Sequence, residues 1–132
     1  AKGGAGAAIV LAVARRLYPA DPLLFLDASC TIGGGLYIQH GFSTIVNADL
    51  GDNCWINQQV TIGFKDASGR PRLGHNVRVS AGAKVLGPVQ VGDDVAIGAN
   101  AVVVKSVPPD CTVVGVPAYI VRRNGQRVHE TL

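Results

Sequence analysis

The chain has 132 residues, which suits a single domain and is short for an enzyme that encloses its own active site. Its net charge of +3, with 16% charged and 5% aromatic residues, lacks the clustered Lys and Arg and the interleaved aromatic residues of a nucleic-acid-binding protein. Three cysteines without metal-ligand spacing argue against a disulfide framework and favour a reducing, cytoplasmic location.

The N-terminal 25 residues predict a short helix and no membrane span. An apolar run over residues 5–14 ends at Arg15, well short of the roughly 20 residues that a membrane-spanning helix needs. We predict a helix over residues 7–18, ended by Pro19 and Pro22. Residues 1–25 are therefore expected to form a helical segment ahead of a larger domain over residues 26–121.

From Leu26 onward an apolar residue recurs at every sixth position. Apart from Thr44, each residue of this first series is Leu, Ile or Val: Leu26, Ile32, Ile38, Thr44, Leu50, Ile56, Ile62, Leu73, Val79, Val85, Val91, Ile97 and Val103. Four positions after each of them the residue is again small or apolar, except at Asp66. An ordinary strand alternates with period two and an amphipathic helix with period 3.6. A period of six predicts a β-helix solenoid.

One segment, "GFKDASGRPRLG" over residues 63–74, interrupts the repeat. It is polar and rich in turn formers, so residues 64–72 are predicted to project as a loop. Projecting loops commonly carry function. The basic residues Lys65, Arg70 and Arg72 therefore belong either to a binding loop or to a solvated loop with incidental charge.

Three segments, "GDNCWINQQVTIG", "SAGAKVLGPVQVGDDVAIGANAVVVKSVPPD" and "VVGVPA", resemble the hexapeptide-repeat acyltransferases, in particular serine acetyltransferases and their sugar O-acetyltransferase relatives. The resemblance implies an all-β domain, a left-handed parallel β-helix shaped as a triangular prism with three hexapeptides per coil. The short N-terminal helix precedes it, the loop over 64–72 protrudes from it, and residues 122–132 are expected to form a C-terminal tail.

With three hexads per coil, residues 18 apart stack above one another. His40 then heads an outward column that continues, across the five extra residues of the interruption, through Gln58, Ala81 and Ala99. Small side chains there leave room for a thin, extended ligand such as pantetheine. The resemblance implies that the alanines line a coenzyme A channel and that His40 is the general base. The alternative for His40 is an ordinary surface turn residue, and His75 and His129 are expected to be solvated.

The resemblance also implies acetyl-CoA as co-substrate, a homotrimer with sites between neighbouring prisms, and no metal. The γ-carbonic anhydrases, which share the solenoid, bind zinc through three histidines, and only His40 lies near the expected site. Coenzyme contacts are expected at Gly63, Ala81, Gly82, Ala99, Lys105 and Arg122. Substrate contacts are expected at Gln39, Gln58, Lys65 and Arg70. An ordinary solvated surface is the alternative for Lys105 and Arg122.

Departures from the family pattern bear on the acceptor. Gln39 stands where serine acetyltransferases have an aspartate, and Gly69 and Arg70 stand where they have an Arg-His pair. The carboxylate that orients the base aligns with Phe25, which leaves Asp27 as its substitute. We therefore expect an acetyl-CoA-dependent O-acetyltransferase acting on a sugar or saccharide hydroxyl. The alternatives are a serine O-acetyltransferase and a non-catalytic β-helix scaffold.

Overall fold

A computed structural model describes residues 5–17 and 23–132. Its one helix among these residues, α1, spans Ala5–Leu17. The short N-terminal helix is thus present, while Tyr18, Pro19 and Pro22 of the predicted helix end lie outside the described residues. Helix side chains such as Ile9 and Leu17 are exposed. No helix in the described ranges is long and apolar enough to cross a membrane.

The rest of the described chain is a succession of short strands. They are β1 Leu24–Leu26, β2 Tyr37–Ile38, β3 Thr44–Val46, β4 Asp49–Leu50, β5 Trp55–Ile56, β6 Thr61–Gly63, β7 Arg72–Leu73, β8 Arg78–Val79, β9 Lys84–Leu86, β10 Gln90–Val91, β11 Ala96–Ile97, β12 Val102–Val103, β13 Cys111–Val114, β14 Tyr119–Arg123 and β15 Gln126–Thr131. Residues 64–71, between β6 and β7, form no strand, which agrees with the predicted protruding loop.

The strands form three sheets, and the chain visits them in turn. Sheet A has the order β1-β3-β6-β9-β12, sheet B has β10-β7-β4, and sheet C has β15-β14-β13-β11-β8-β5-β2. Strands of successive coils pair in parallel, as β2 with β5 and β5 with β8. Turns at the C–A, A–B and B–C corners join the sheets. This architecture confirms the predicted all-β parallel β-helix.

The six-residue periodicity marks the core correctly from the second coil onward. From Thr44 to Val103 every residue of the first series is at most 4% exposed. Leu26 and Ile32, in the first coil, are instead 40% and 37% exposed. They belong to a coil that has a neighbouring coil on one side only within the described chain, so nothing covers their other side.

The register departs from the prediction at β3. Val46, rather than Thr44, lies in line with Leu26 below and Ile62 above. Val46 and Ile62 are 16 residues apart, whereas Ile38 and its partner Ile56 are 18 apart. Both Thr44 and Val46 face the core, so a count of six cannot tell which one continues the column. Relative to the spacing of 18, the chain therefore has two extra residues between β1 and β3 and two fewer between β3 and β6.

The predicted tail over residues 122–132 is a strand hairpin. β14 pairs antiparallel with both β13 and β15, and its Ile120 is buried. Asn124 and Gly125 at the turn both have positive φ, the conformation of a two-residue hairpin. His129 is exposed, as expected, and its ring packs on Tyr119 with ring centroids 4.7 Å apart. The Asn-Gly pair between alternating apolar residues is the sequence signal for this hairpin.

Candidate functional site

His40 projects from the C–A corner, where the chain passes from β2 to β3. At this corner in the two following coils, the last residue whose N–H bonds to the next coil is followed directly by the first residue whose carbonyl does so, as with Ser80 and Ala81. In the first coil the bonded residues are Gln39, whose N–H donates to Ile56 O at 2.8 Å, and Phe42, whose carbonyl accepts from Gln59 N at 3.0 Å. His40 and Gly41 are therefore the two extra residues, and they widen the corner.

The backbone at His40 suits this exposed position. His40 has φ of 59°, in the left-handed region that few residues other than glycine adopt. The side chain is exposed, and its imidazole has no hydrogen-bond partner among the described residues. The structure thus places an unengaged imidazole on a corner of the prism. That matches a base that meets its substrate from solvent, although the role itself stays a prediction.

Gln58 and then two alanines follow His40 along the same corner. Phe42, rather than His40, stacks directly on Gln58, and Ala81, half-buried, and Ala99, exposed, follow in the next coils. Gly82, next to Ala81, has φ of 75°, and a β-carbon there would collide with Asn100 Oδ1. At Ala81, Gly82 and Ala99 the corner therefore carries no side chain larger than a methyl group, and the backbone is accessible. This geometry agrees with the expected coenzyme track at Ala81, Gly82 and Ala99, which stays a prediction.

Asp27 does not orient His40. Its carboxylate accepts hydrogen bonds from Ser29 N at 2.8 Å, Ser29 Oγ at 2.7 Å and Asn47 Nδ2 at 3.1 Å. The hydroxyl and the backbone N–H of Ser29 hold the pKa of Asp27 below its ordinary value. Asp27 follows β1 and lies at the A–B corner, at the other end of sheet A from His40. The expectation that it holds the imidazole is therefore wrong for this chain by itself.

The protruding loop also leaves from the A–B corner, and its last residues are tied to the prism. Arg70 donates from Nη1 to Ser29 Oγ at 2.8 Å and from Nη2 to Ser29 O at 3.0 Å. Nη2 also lies 2.8 Å from Asp49 Oδ1 in an ion pair. The Thr31 N–H lowers the pKa of Asp49, and the Arg70 charge lowers it further. Arg70, expected to contact the substrate, is thus engaged inside its own chain, while Lys65 is exposed.

The remaining coenzyme candidates do not gather around the alanines. Gly63 is buried at the end of β6. Lys105 lies after β12 at the A–B corner and donates from Nζ to Leu132 O at 2.7 Å. Arg122 is exposed on β14. Sheet A separates Lys105 from Ala99, so one chain brings them to different corners.

Sequence reasoning missed a polar cluster beside His40 on the outer surface of sheet C. Trp55 Nε1 lies 3.2 Å from Gln39 Oε1 and 3.0 Å from Asn57 Oδ1. Tyr37 packs edge-on against the indole, and Arg78 Cζ lies 5.7 Å from its centroid. The expected column of residues 18 apart through Gln39 would have found Asn57. Within the described residues no group of three or more His, Cys, Asp or Glu is placed to hold a metal ion.

Comparisons with known proteins agree with this geometry. Residues 70–105 match the bacterial transferase hexapeptide (six repeats). The chain is 46% identical over 102 residues to a serine acetyltransferase of Synechococcus elongatus, covering 74% of this chain and 42% of that protein. A structure of Neisseria gonorrhoeae serine acetyltransferase in complex with serine superimposes with a TM-score of 0.67 and 37% identity, covering 71% of this chain and 40% of the other.

A serine acetyltransferase structure in complex with CoA has the same TM-score of 0.67 and 37% identity, over 70% of this chain and 40% of the other. The chain is similar to the hexapeptide-repeat acyltransferases, in particular to the serine acetyltransferases. Its fold is accordingly the left-handed β-helix. The chain spans less than half the length of these relatives. Their names favour serine, the alternative acceptor of the sequence analysis, over the sugar or saccharide expected there.

Proposed function

We propose that this hexapeptide-repeat chain transfers an acetyl group from acetyl-CoA to the hydroxyl of serine. The observation that carries the proposal is the exposed imidazole of His40 at the head of the corner that continues through Ala81 and Ala99. The relatives named serine acetyltransferases, one of them solved with serine and another with CoA, support both substrates.

His40 acts as the general base. Its neutral imidazole takes the proton of the serine hydroxyl as that oxygen attacks the thioester carbonyl, and a C–O bond forms. When the C–S bond breaks, the imidazolium returns the proton to the departing thiolate. The products are O-acetylserine and coenzyme A, and the base is regenerated. The thin pantetheine arm lies along the small residues of the corner, which brings the thioester to His40.

The complete site forms between two copies of the chain. His40 leaves the prism at the C–A corner and the loop leaves it at the A–B corner, so one copy does not bring the loop over its own base. A neighbouring copy, whose A–B corner faces the C–A corner of the first, supplies the loop and, with it, Lys65. A trimer closes such contacts in a ring. It also gives the imidazole access to a carboxylate of the neighbour, since Asp27 of its own chain is engaged elsewhere.

The test is thiol release from acetyl-CoA with L-serine, with a panel of sugars and glycans, and without acceptor. We expect release with L-serine, and about 10²- to 10⁴-fold slower turnover in His40→Ala with unchanged coenzyme affinity. Release with saccharides alone would replace serine by the sugar acceptor. Coenzyme binding without release for any hydroxyl compound contradicts the proposed function, and absence of both leaves the scaffold alternative. Light scattering that shows a fully active monomer contradicts the shared site.

A further inference from the structure

Selective binding of serine needs a cation for its carboxylate. In the loop, Arg70 is not free to supply it, and Lys65 is exposed but leaves the prism at the A–B corner, away from the His40 of its own chain. Arg70 is bonded to Ser29 and Asp49, and its side chain is 22% exposed. Moving it to a substrate would break these contacts and leave the Asp49 carboxylate without its guanidinium. Among the described basic residues near His40, Arg78 on β8 is different, because it takes part in no ion pair in the described chain.

Trp55 sets the direction of two amide side chains beside the base. The indole N–H only donates, so the oxygens of Gln39 and Asn57 must face it. Each amide then turns its NH2 group away from the indole. Neither NH2 group has a partner in the described chain. Two amide donors therefore lie beside the indole, one of them on Gln39, the residue before His40, and donors of this kind suit an oxygen of a ligand better than an ammonium.

A cavity of 190 Å³ adjoins Trp55 and Asn57 of this cluster, while Gln39 and His40 lie outside its lining. It is lined by Trp55, Asn57, Arg78, Val79 and Ser80. The lining therefore combines an aromatic ring, an amide, a guanidinium and a hydroxyl, while the Val79 side chain is buried in the core. A separate cavity that shares Trp55 and Arg78 is also lined by Asp94, whose Oδ1 accepts from Asn76 Nδ2 at 3.0 Å. The 190 Å³ cavity itself has no carboxylate in its lining.

We propose that this cavity is the carboxylate subsite of the acceptor, with Arg78 as the cation and the Asn57 amide as a hydrogen-bond donor; Gln39, which bonds to the same indole and precedes His40, lies outside the lining. A guanidinium and a carboxylate form charge-assisted bonds of matching planar shape. The acceptor enters with its carboxylate toward Arg78 and its hydroxyl toward His40, and its ammonium makes no essential contact at position 39. The inference rests on the proposed function, because the occupant is the hydroxyl acceptor of that reaction.

The binding test uses Trp55, the single tryptophan of the chain, as a fluorescent reporter. L-Serine, 3-hydroxypropionate and ethanolamine are titrated with and without coenzyme A. 3-Hydroxypropionate keeps the hydroxyl and carboxylate of serine, whereas ethanolamine keeps the hydroxyl and ammonium. We expect saturable changes in emission with the two carboxylates and none with ethanolamine. Equal affinity for ethanolamine, or no change with either carboxylate, overturns the subsite.

Variants then identify the cation. Arg78→Met should weaken binding of both carboxylates and raise the KM for L-serine by about 10- to 100-fold, the usual scale for a lost charge-assisted bond. Arg78→Lys should restore part of the carboxylate binding, because lysine keeps the positive charge but lacks the planar, bidentate guanidinium. Arg127→Met, which removes an exposed arginine from β15, should match the wild type.

The outcomes separate this inference from the proposed function. Unchanged serine KM in a folded Arg78→Met protein overturns the subsite while the acetyltransferase activity stands. The same holds if Arg70→Met raises the KM and Arg78→Met does not, since the loop would then supply the cation. Weakened carboxylate binding in Arg78→Met, with no thiol release from acetyl-CoA for any hydroxyl compound, supports the subsite and contradicts the proposed function.

Discussion

Replacing Arg70 by Met should destabilise the protein far more than replacing its neighbour Arg72. Arg70 makes three contacts of 2.8 to 3.0 Å, to Ser29 Oγ, Ser29 O and Asp49 Oδ1. Arg72 lies 3.8 Å from Asp49 Oδ2, with its side chain 74% exposed. Both arginines flank Pro71 at the base of the same loop, so the pair controls for charge and position.

The expected magnitude follows from the contacts. A bond to a charged group contributes about 1.5 to 3 kcal/mol and a neutral one about 0.5 to 1.5 kcal/mol. Arg70 and Asp49 keep 22% and 27% of their side chains exposed, which places each bond toward the low end of these ranges. The three bonds share one guanidinium, so their contributions do not add in full, and we expect Arg70→Met to cost about 2 kcal/mol, or roughly 6 to 10 °C in Tm for a domain of this size. Arg72→Met should cost less than about 0.5 kcal/mol, as for other exposed pairs.

The difference in stability between the wild type and Arg70→Met should depend on pH. The pKa of Asp49 is lowered in the folded chain, by the Thr31 N–H and by the Arg70 charge among other groups. A lowered carboxyl pKa contributes stability above its unfolded value of about 4, and this contribution is lost as pH falls through the folded value. The gap between the wild type and Arg70→Met should therefore be full at pH 7 and shrink below about pH 4.

Thermal and urea unfolding at one protein concentration measure these differences, since assembly makes Tm concentration-dependent. Equal Tm losses in the two variants, or a gap that grows on acidification, would show that the Arg70 contacts do not hold the base of the loop. A loss confined to Arg70→Met, and largest at neutral pH, supports the network.

Three further outcomes are expected. Ala99→Trp should weaken acetyl-CoA binding at least about tenfold in calorimetry while Tm stays unchanged, because Ala99 is exposed and the core lies on the other side; normal affinity would place the coenzyme elsewhere. A chromogenic disulfide should titrate one thiol per native chain at pH 8 and none in Cys30→Ser, because Cys54 and Cys111 are buried and burial raises the pKa of both thiols; three fast thiols would contradict this. Gly82→Ala should lower Tm more than Gly125→Ala, since both glycines have positive φ but only at Gly82 does the new β-carbon meet a neighbour, Asn100; equal losses would show that φ alone decides.

The periodicity of the sequence predicted the solenoid because every strand of every coil needs an aliphatic side chain that points into the core. Ile56 and Ile97, for example, fill the same place two coils apart and are both fully buried. The rule failed where strand alternation offers two inward residues, as with Thr44 and Val46. It also said nothing of the hairpin, whose signal is the local turn at Asn124 and Gly125 rather than the repeat.

The candidate site was predictable in part. Adding 18 residues to a position finds its neighbour in the next coil, which placed Ala81 and Ala99 on the corner headed by His40. Side-chain partners do not follow from such counting. Arg70 turns back to Ser29, and Asp27 turns to Ser29 and Asn47, because local hydrogen bonds decide both directions. A pattern that records only size and polarity likewise could not predict the contacts of Trp55 with Gln39 and Asn57.

The two ends of the prism differ in whether the stack can be lengthened. At the first coil, the outer edges of β1 and β2 pair with no other described strand, and apolar side chains such as Phe25 and Ile32 are exposed. At the other end, β14 pairs antiparallel with β13 and β15 folds back along β14, so sheet C ends in a hairpin and not in another coil. Solenoids change length by whole repeats, and each repeat contacts only its neighbours. In this protein, units of three hexapeptides can be gained or lost only before the hairpin in the sequence. β14 and β15 then pack next to the last coil whatever the number of coils.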